Sequence, residues 1–280
     1  MLTLITATLN AARYIEHAFE SLRSIPPGKI HHVVVDGGSR DETLGICRKF
    51  PSVDMVIAPD CSIYEAWNIG LGRARGDWIM FLNADDELAE GAVETVAACF
   101  TSRPEAEIVA GRALMIEREA PAAPARLLIA APGGRLDVEQ LALGVPAINA
   151  MAFRRTLFER QGGFDTIYRV AGDRAFLLRL AMRSPPTVVA TTDAVLYRYY
   201  SHAGSLTLQR GLEQRLRIAR DHVSLANHLL ADQSAGQAAR LLRYWRRREA
   251  AVATMRCAAA GRPLAALRFA GQIFAGSDRR

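Results

Sequence analysis

The stretch Trp78-Ile79-Met80-Phe81-Leu82-Asn83-Ala84-Asp85-Asp86 joins an apolar run to a pair of carboxylates. The apolar run predicts a buried β-strand, and the two aspartates would then lie beyond its carboxyl end. Magnesium and manganese prefer oxygen ligands, and proteins commonly hold them with one or two carboxylates together with substrate phosphates. A pair of aspartates after a strand also occurs in plain turns and at helix N-caps. The stretch therefore indicates a metal site only if its surroundings agree.

The first third of the chain alternates short apolar runs with amphipathic segments. Four strands are predicted, at 2–8, 31–36, 55–58 and 78–82, and helices at 14–25, from Ser39 towards Phe50 and at 63–74. Ser39 followed by Glu42 matches a capping box, which starts the second helix. Such alternation indicates βαβ units and a mainly parallel sheet. Ligands of these sheets bind beyond the carboxyl ends of the strands, so polar residues there are expected to share one crevice.

Polar side chains stand at three of these strand ends. Thr6 and Thr8 end the first strand, Asp36 ends the second, and Asn83 and Asp85 follow the fourth. Asp36 is suited to accept a hydrogen bond from a nucleobase, Asn83 to bind a ribose, and Asp85 to bind a metal that bridges phosphates. Asp36 also fits a plain turn, since two glycines follow it. The arrangement indicates a nucleoside-diphosphate ligand.

Composition bounds the class of protein. The chain has 280 residues, 50% of them hydrophobic, which suffices for one substantial core or a core with an appendage. Its four cysteines lie far apart, without metal-binding spacing, and predict free thiols in a reducing compartment. The N-terminus shows no secretory signal, and the longest uncharged stretch, residues 140–153, is too short to cross a bilayer. These features predict a soluble, cytoplasmic protein.

The C-terminal segment differs from the rest in charge. From Leu208 to Arg280 it has 14 arginines and 5 acidic residues, a net charge of +9, and its apolar residues recur at helical spacing. Trp245 beside three arginines, and an apolar helix predicted at Leu264–Phe274, suit contact with an anionic membrane surface. The alternatives are a solvated helical face, or packing on the remainder of the protein or on a second copy. Nucleic acid is not expected as a partner.

Five segments follow one another in the chain: LITATLN (4–10), VVVDGGSRDET (33–43), PDCSIYEAWNIGLGRARGDWIMFLNADDEL (59–88), PAINAMAFRRTLFERQGGFDTIYRVAGDRAFLLRLA (146–181) and HAGSLT (202–207). In this order they resemble the family 2 glycosyltransferases of the GT-A fold, and most of all bacterial enzymes that build surface or capsular polysaccharide. The resemblance implies an α/β domain with a Rossmann-type mixed, mainly parallel sheet flanked by helices. It divides the chain into a catalytic domain and an extension: 1–207, with a nucleotide-binding half at 1–115 and an acceptor half at 116–207, and an Arg-rich helical segment at 208–280.

The resemblance also implies roles for single residues. Four residues would form the nucleotide pocket: Thr6, Thr8, Asp36 and Asn83. Asn83 and Asp85 occupy the outer positions of the family's Asp-x-Asp motif, so Asp85 is implied to bind Mn or Mg. Asp86 would add an outer contact to the same metal.

Asp173 matches the catalytic base of the family. A carboxylate there would take the proton of the acceptor hydroxyl, while a metal acting as a Lewis acid stabilises the leaving diphosphate. One base opposite the leaving group gives direct displacement, and therefore inversion at the anomeric carbon. Two alternatives remain: Asp173 as the N-cap of a helix at 174–182, and Asp165 as the base, although Asp165 has the pattern of a turn.

Three departures from the family pattern bear on function. Asn83 replaces the more usual Asp and leaves one fewer negative charge at the metal. Ile69 stands where relatives often have Lys, so a contact to the diphosphate is lost unless Arg73 or Arg75 replaces it. Asn149 stands where relatives commonly have His, which leaves the acceptor open.

The sequence thus predicts an inverting, metal-dependent glycosyltransferase of polysaccharide biosynthesis. It would move a sugar from a UDP- or GDP-linked donor to a saccharide or lipid-linked acceptor. The protein is expected in the cytoplasm, with the basic segment as a candidate for peripheral contact with the inner face of the plasma membrane. The alternative is a catalytically inactive nucleotide-sugar-binding protein of the same fold.

Overall fold

The computed structural model describes residues 1–120, 122–202, 211–232 and 235–274, apart from the side chain of residue 274. In these residues nine strands form one sheet: β1 (Leu2–Thr8), β2 (Ile30–Asp36), β3 (Val53–Ile57), β4 (Trp78–Phe81), β5 (Glu87–Leu88), β6 (Ile108–Glu117), β7 (Arg126–Ile129), β8 (Met151–Arg154) and β9 (Val189–Ser201). The α-helices of the same residues are α1 (Ile15–Glu20), α2 (Thr43–Cys47), α3 (Ile63–Arg73), α4 (Ala92–Ser102), α5 (Val138–Leu143), α6 (Arg155–Gln161), α7 (Gly172–Ala181), α8 (Leu212–Asp232), α9 (Gly236–Ala259) and α10 (Pro263–Phe274).

The sheet is parallel in its first half and mixed in its second. The strand order is β3-β2-β1-β4-β8-β6-β9-β5, and β7 pairs with β6. Strands β1 to β4 run parallel to one another, whereas β8 runs antiparallel to both β4 and β6, and β9 runs parallel to β6. The predicted α/β class, with a mixed sheet flanked by helices, is confirmed. The carboxyl ends of β1, β2 and β4 therefore lie at one edge, where the polar residues were expected to meet.

Helix α3 lies close against β1. It begins with a capping box, in which Ser62 Oγ accepts from the Glu65 N–H at 3.3 Å and the Glu65 carboxylate accepts from the Ser62 N–H at 2.7 Å. Gly70 approaches β1 so closely that a Cβ added there would overlap the side chain of Ile5. Glycine at this position lets α3 pack closely against the sheet, and this close packing sets the distance between the α3 side chains and the strand ends.

The capping box predicted at Ser39 and Glu42 is wrong. Helix α2 begins at Thr43, and Glu42 stands at its N-cap without a side-chain hydrogen bond. The Ser39 hydroxyl donates to Asp36 instead, at 2.6 Å, and the Asp41 carboxylate accepts from the Thr43 N–H at 3.0 Å. The Ser39–Glu42 pattern fails because Ser39 belongs to the turn that ends β2. Helix α1 is also shorter than predicted and gives way to turns after Glu20.

The C-terminal helices pack on the rest of the molecule. Five of their side chains are buried in the same core cluster as the sheet residues: Leu225, Ala226, Leu229, Leu242 and Trp245. Helix α10 joins α8 and α9 through a smaller cluster that includes Phe269. Within the described ranges, no helix is long and apolar enough to span a membrane. The boundary predicted between residues 207 and 208 lies outside the described residues.

Candidate active site

Asp85 and His202 lie side by side at the carboxyl edge of the sheet. Asp85 belongs to the loop after β4, and His202 directly follows β9. Asp85 Oδ2 and His202 Nε2 are 2.8 Å apart, and 30% of the Asp85 side chain is exposed. Asp85 thus occupies an accessible position, as the motif implied. No role was predicted for His202, although it opens the last of the segments that resemble the family.

These two side chains suit a divalent cation whose remaining ligands come from phosphates. Manganese accepts both carboxylate oxygen and imidazole nitrogen, and one or two protein ligands with substrate oxygens are a common arrangement for such ions. The described part of the chain contains no group of three or more His, Cys, Asp or Glu side chains that surrounds a metal position. Asp85 and His202 therefore fit a metal that is shared with the substrate, and do not fit a self-sufficient protein cage.

Asp86 occupies a different position from the one expected. Its carboxylate is buried and accepts hydrogen bonds from the Tyr197 hydroxyl at 2.9 Å, the Asn83 side-chain amide at 2.9 Å and the Tyr200 N–H at 2.7 Å. Burial, assisted by the charge of Asp85, raises the pKa of Asp86 to about 7. Both carboxylate oxygens bind the protein itself, so Asp86 holds the acidic loop in shape, and its outer contact with a metal stays a prediction.

Asn83 and Asn149 lie beneath this loop. The Asn83 N–H donates to the Tyr197 hydroxyl at 2.9 Å, and the Asn83 side-chain oxygen lies 3.4 Å from Asn149 Nδ2. Asn149 also donates to the Phe81 carbonyl at 2.9 Å and accepts from the Tyr199 hydroxyl at 2.9 Å. Asn149, which stands in place of the relatives' histidine, is thus bound to protein groups and supports the loop. The contact of Asn83 with a nucleotide stays a prediction.

Asp36 ends β2 in a turn of its own. It is fully buried and accepts from the Gly38 N–H at 2.9 Å, the Ser39 N–H at 2.7 Å and the Ser39 hydroxyl at 2.6 Å. Gly38 adopts a φ of +94°, which residues with a side chain rarely adopt. This is the turn that the sequence left open as an alternative. The hydrogen bonds of Asp36 go to its own loop, and its contact with a nucleobase stays a prediction.

Thr6 and Thr8 differ in what their hydroxyl groups meet. Thr6 is fully buried, with Oγ1 2.9 Å from His32 Nε2, and burial lowers the pKa of His32 to about 3. The structure therefore keeps Thr6 in the core and does not bring it to the crevice. Thr8 lies opposite Asp36 at the strand end, and its Oγ1 is buried without a hydrogen-bond partner among the described residues. Such an atom is usually satisfied by a water or a ligand.

Asp173 lies in the first turn of α7, where Ala171 is the N-cap residue, so it does not cap the helix as the alternative required. Its Oδ1 accepts from the Tyr64 hydroxyl at 3.1 Å and from the Arg174 N–H at 2.7 Å. Its Oδ2 accepts no hydrogen bond from any residue that the structure describes, and burial raises the pKa of the carboxyl group. Asp165, the rival base, accepts from the Ile167 N–H at 3.1 Å and forms a turn.

Helix α3 holds the Asp173 segment in place from the other half of the protein. A Cβ added to Gly172 would come within 2.6 Å of the Tyr64 ring, so only glycine lets that ring lie beside Asp173. Asn68, one turn further along α3, accepts from the Phe164 N–H at 2.8 Å and donates to the Phe164 carbonyl at 2.8 Å. The roles of Tyr64 and Asn68 were not predicted, although both belong to a quoted segment.

Tyr199 of β9 supports the acidic loop through Asn149. Its hydroxyl donates to Asn149, which contacts Asn83 of that loop. Burial raises the pKa of Tyr199 well above its usual value, and the negative charges of Asp86 and Asp173 raise it further. Tyr199 therefore stays neutral and supports the acidic loop as a hydrogen-bond donor to Asn149.

Comparison with known proteins identifies the family. A family profile described as glycosyl transferase family 2 matches residues 3–161. The PGL/p-HBAD biosynthesis glycosyltransferase of Mycobacterium bovis (strain BCG / Pasteur 1173P2) is 31% identical over 214 residues, which cover 74% of this chain and 79% of that protein. An uncharacterized glycosyltransferase of Mycobacterium tuberculosis is 25% identical over 195 residues, which cover 67% of this chain and 71% of that protein.

Two solved structures share the fold. Residues 1–349 of S. aureus TarS, solved with UDP-GlcNAc, superpose with a TM-score of 0.61 at 15% identity, covering 100% of this chain and 93% of that chain. The mannosyltransferase PcManGT from Pyrobaculum calidifontis, solved with GDP-Man and Mn²⁺, gives a TM-score of 0.61 at 22% identity, covering 96% of this chain and 78% of that chain. Because the family profile covers more than half of its length and the mycobacterial relative is 31% identical, the chain belongs to glycosyl transferase family 2.

Proposed function

We propose that this glycosyltransferase is an inverting enzyme that uses a nucleoside-diphosphate sugar and a divalent cation. One observation carries the proposal: Asp85, whose side chain is 30% exposed, lies 2.8 Å from His202 at the edge of the sheet where β1, β2 and β4 end. Asp173 supports it with a carboxylate oxygen that accepts no hydrogen bond from the residues that the structure describes. The fold neighbours TarS and PcManGT, solved with UDP-GlcNAc and with GDP-Man and Mn²⁺, support a nucleotide-sugar donor and a metal.

Each residue of the site has a part in this reaction. Asp85 and His202 would hold the cation, which when bound offsets the charge of the leaving diphosphate. Asp173 Oδ2 takes the proton of the acceptor hydroxyl as that hydroxyl attacks the anomeric carbon. The Tyr64 hydroxyl and the Arg174 N–H bind Oδ1 and thereby orient Oδ2. Attack from the face opposite the leaving group inverts the anomeric configuration.

The acceptor that we propose is a saccharide or a lipid-linked saccharide of polysaccharide or glycolipid biosynthesis. The mycobacterial relative named for PGL/p-HBAD biosynthesis supports this class. Leu264 and Leu267 of α10 are 77% and 68% exposed, and Arg268 beside them is also exposed. Exposed apolar and basic side chains on one helix support peripheral contact with an anionic membrane at which a lipid-linked acceptor would reside.

Metal-dependent turnover of labelled UDP- and GDP-sugars tests the proposal. We expect hydrolysis or transfer of at least one donor in Mn²⁺ and little in EDTA. Asp85→Ala should lose the turnover that Mn²⁺ supports. Asp232→Ala, at an exposed position of α8, should turn over the donor like the wild type. Metal-dependent affinity for UDP and GDP that is unchanged in Asp85→Ala would rule out Asp85 as the ligand. Nucleotide binding without any turnover would favour the inactive binding protein.

A further inference from the structure

The structure shows that neither predicted arginine replaces the lysine that relatives often have at position 69. Arg73 Nη1 lies 3.2 Å from Asp54 Oδ1, and Arg75 Nη2 lies 3.7 Å from Asp54 Oδ2. Asp54 belongs to β3, the edge strand, and Ile69 itself packs beside Val33 and Val35. Arg73 and Arg75 thus pair with Asp54 at the edge of the sheet, which leaves the diphosphate open to a cation from another element.

Arg118 supplies a positive charge next to Asp85. It follows the end of β6, and its Nη2 donates to the Asp85 backbone carbonyl at 2.6 Å. Its guanidinium carbon lies 4.8 Å from the centre of the Tyr14 ring and 4.5 Å from that of Tyr200. The Tyr14 ring in turn lies 4.4 Å from the His202 ring. Arg118 is thus in the same cluster of contacts as both proposed metal ligands.

The hydrogen bonds of Arg118 are incomplete in this position. Its Nε is buried and has no hydrogen-bond partner among the described residues. A guanidinium group carries five N–H donors in a planar fork that matches phosphate oxygens. Two flanking aromatic faces favour the charge and fix the plane of the fork, whereas the carbonyl of Asp85 uses only one donor. Arg118 is therefore a planar cation in a fixed orientation beside the proposed metal position, and it has N–H donors that no protein group uses among the described residues. Such a group is suited to bind a phosphate.

We propose that Arg118 binds the diphosphate of the nucleotide-sugar donor directly and takes the place of the lysine that this chain lacks. The inference rests on the proposed function, because it requires a nucleoside-diphosphate ligand at Asp85 and His202. The competing role is purely structural: Arg118 would hold the Asp85 loop through the carbonyl and would affect the nucleotide only through the metal.

Calorimetry with UDP and with GDP separates the two roles. The variants are Arg118→Gln, which removes the charge, and Arg118→Lys, which keeps the charge but loses the fork. Arg112→Gln is the matched control, because Arg112 lies on β6, six residues before Arg118, and its charge pairs with the exposed Asp193. Each protein is titrated in Mn²⁺ and in EDTA, since only a direct contact with phosphate persists without metal.

We expect Arg118→Gln to weaken binding of UDP or GDP by about tenfold or more in both Mn²⁺ and EDTA, as for loss of one charge-assisted hydrogen bond. Arg118→Lys should recover part of the loss, and Arg112→Gln should bind like the wild type. Wild-type affinity in Arg118→Gln would overturn the inference, and so would a loss confined to Mn²⁺, which would mark Arg118 as a support for Asp85. If the wild type binds neither UDP nor GDP, the proposed function itself fails.

Discussion

The two oxygens of the Asp173 carboxylate have different surroundings, and this difference sets their chemistry. Oδ1 is held by Tyr64 and by the Arg174 N–H, whereas Oδ2 has no partner among the described residues. Asp173→Asn keeps the shape and the N–H contact but cannot accept the acceptor's proton. We expect unchanged binding of UDP or GDP and a fall in turnover of ~10²–10⁴-fold. Asp165→Asn is the control in the same segment. Equal loss of binding and turnover in Asp173→Asn would indicate a structural residue.

The pH dependence of the reaction reports the same carboxyl group. Burial raises the pKa of Asp173, so the active, deprotonated base should be lost on acidification at a higher pH than for an exposed aspartate. The Tyr64 hydrogen bond favours the charged form and lowers this pKa. Tyr64→Phe should therefore raise the pKa of Asp173 further and move the acid side of the kcat profile to higher pH. Tyr244→Phe, at a residue that is 56% exposed, should not move it. An unmoved profile in Tyr64→Phe would mean that another group titrates.

At the scale of single residues, the sequence identified the residues of the motifs but not the residues to which they hydrogen-bond. Asp85 and Asp173 stand where the family pattern implied. Asp86 is bound by Tyr197, which lies more than a hundred residues later, and Thr6 by His32 of the neighbouring strand, neither of which was predicted. Which of two adjacent aspartates turns inward depends on these long-range hydrogen bonds, and no local pattern encodes them.

At the scale of elements, α8 supports the loop that leads to Asp173. The Asp221 carboxylate accepts from the Val170 N–H at 2.7 Å, and the Tyr168 hydroxyl lies 2.6 Å from His228 Nδ1. Asp221→Ala leaves a backbone donor without its partner, which costs about 1–3 kcal/mol. We expect a lower urea midpoint and a larger loss of turnover than of nucleotide affinity.

The exposed Asp232, on the same helix, provides the control for this change. Asp232→Ala should leave the urea midpoint and turnover unaffected. If Asp221→Ala lowered stability without any change in turnover, the loop would not depend on α8 for its catalytic shape.

The first four strands could be predicted, whereas the second half of the sheet could not. Strands β1 to β4 are joined by short helical crossovers, so the alternation of strand-like and helix-like segments in the sequence suffices to predict them. Paired residues of β6 and β8 are 41 to 45 positions apart and those of β6 and β9 are 81 to 84 apart, and the two pairings run in opposite directions. The register of β6 on β9 also shifts between Ala110 and Ala113. Such pairings depend on tertiary packing, and the alternation of apolar and polar residues along a strand does not specify which strands pair.

At the scale of the whole molecule, the basic C-terminal helices have one face that is buried against the protein and one face that is exposed. Trp245 is fully buried, so the membrane contact first expected of it is excluded in this structure. Leu264, Leu267 and the exposed Arg247 and Arg248 remain available. Each basic residue near an anionic surface contributes ~1 kcal/mol, and salt screens this contribution. We expect the intact protein to sediment with anionic liposomes at low salt, and not with neutral ones.

Replacement of both Leu264 and Leu267 by Asp should weaken that sedimentation severalfold. Ile57→Asp, at a residue of β3 that is 51% exposed, serves as the control. Failure of the intact protein to bind anionic lipid at low salt would leave the C-terminal helices as packing or oligomerisation elements.

The burial of Leu225, Leu242 and Trp245 in the sheet's own core also concerns how the protein is made. The part that resembles its family leaves the ribosome first, with core positions that only α8 and α9 can cover. At typical synthesis rates of 5–20 residues per second, the last 70 or so residues take roughly 4 to 15 seconds to follow. During that interval the base-bearing segment lacks Asp221 and His228. We therefore expect the loop that leads to Asp173 to reach its final shape only after α8 has packed on the core.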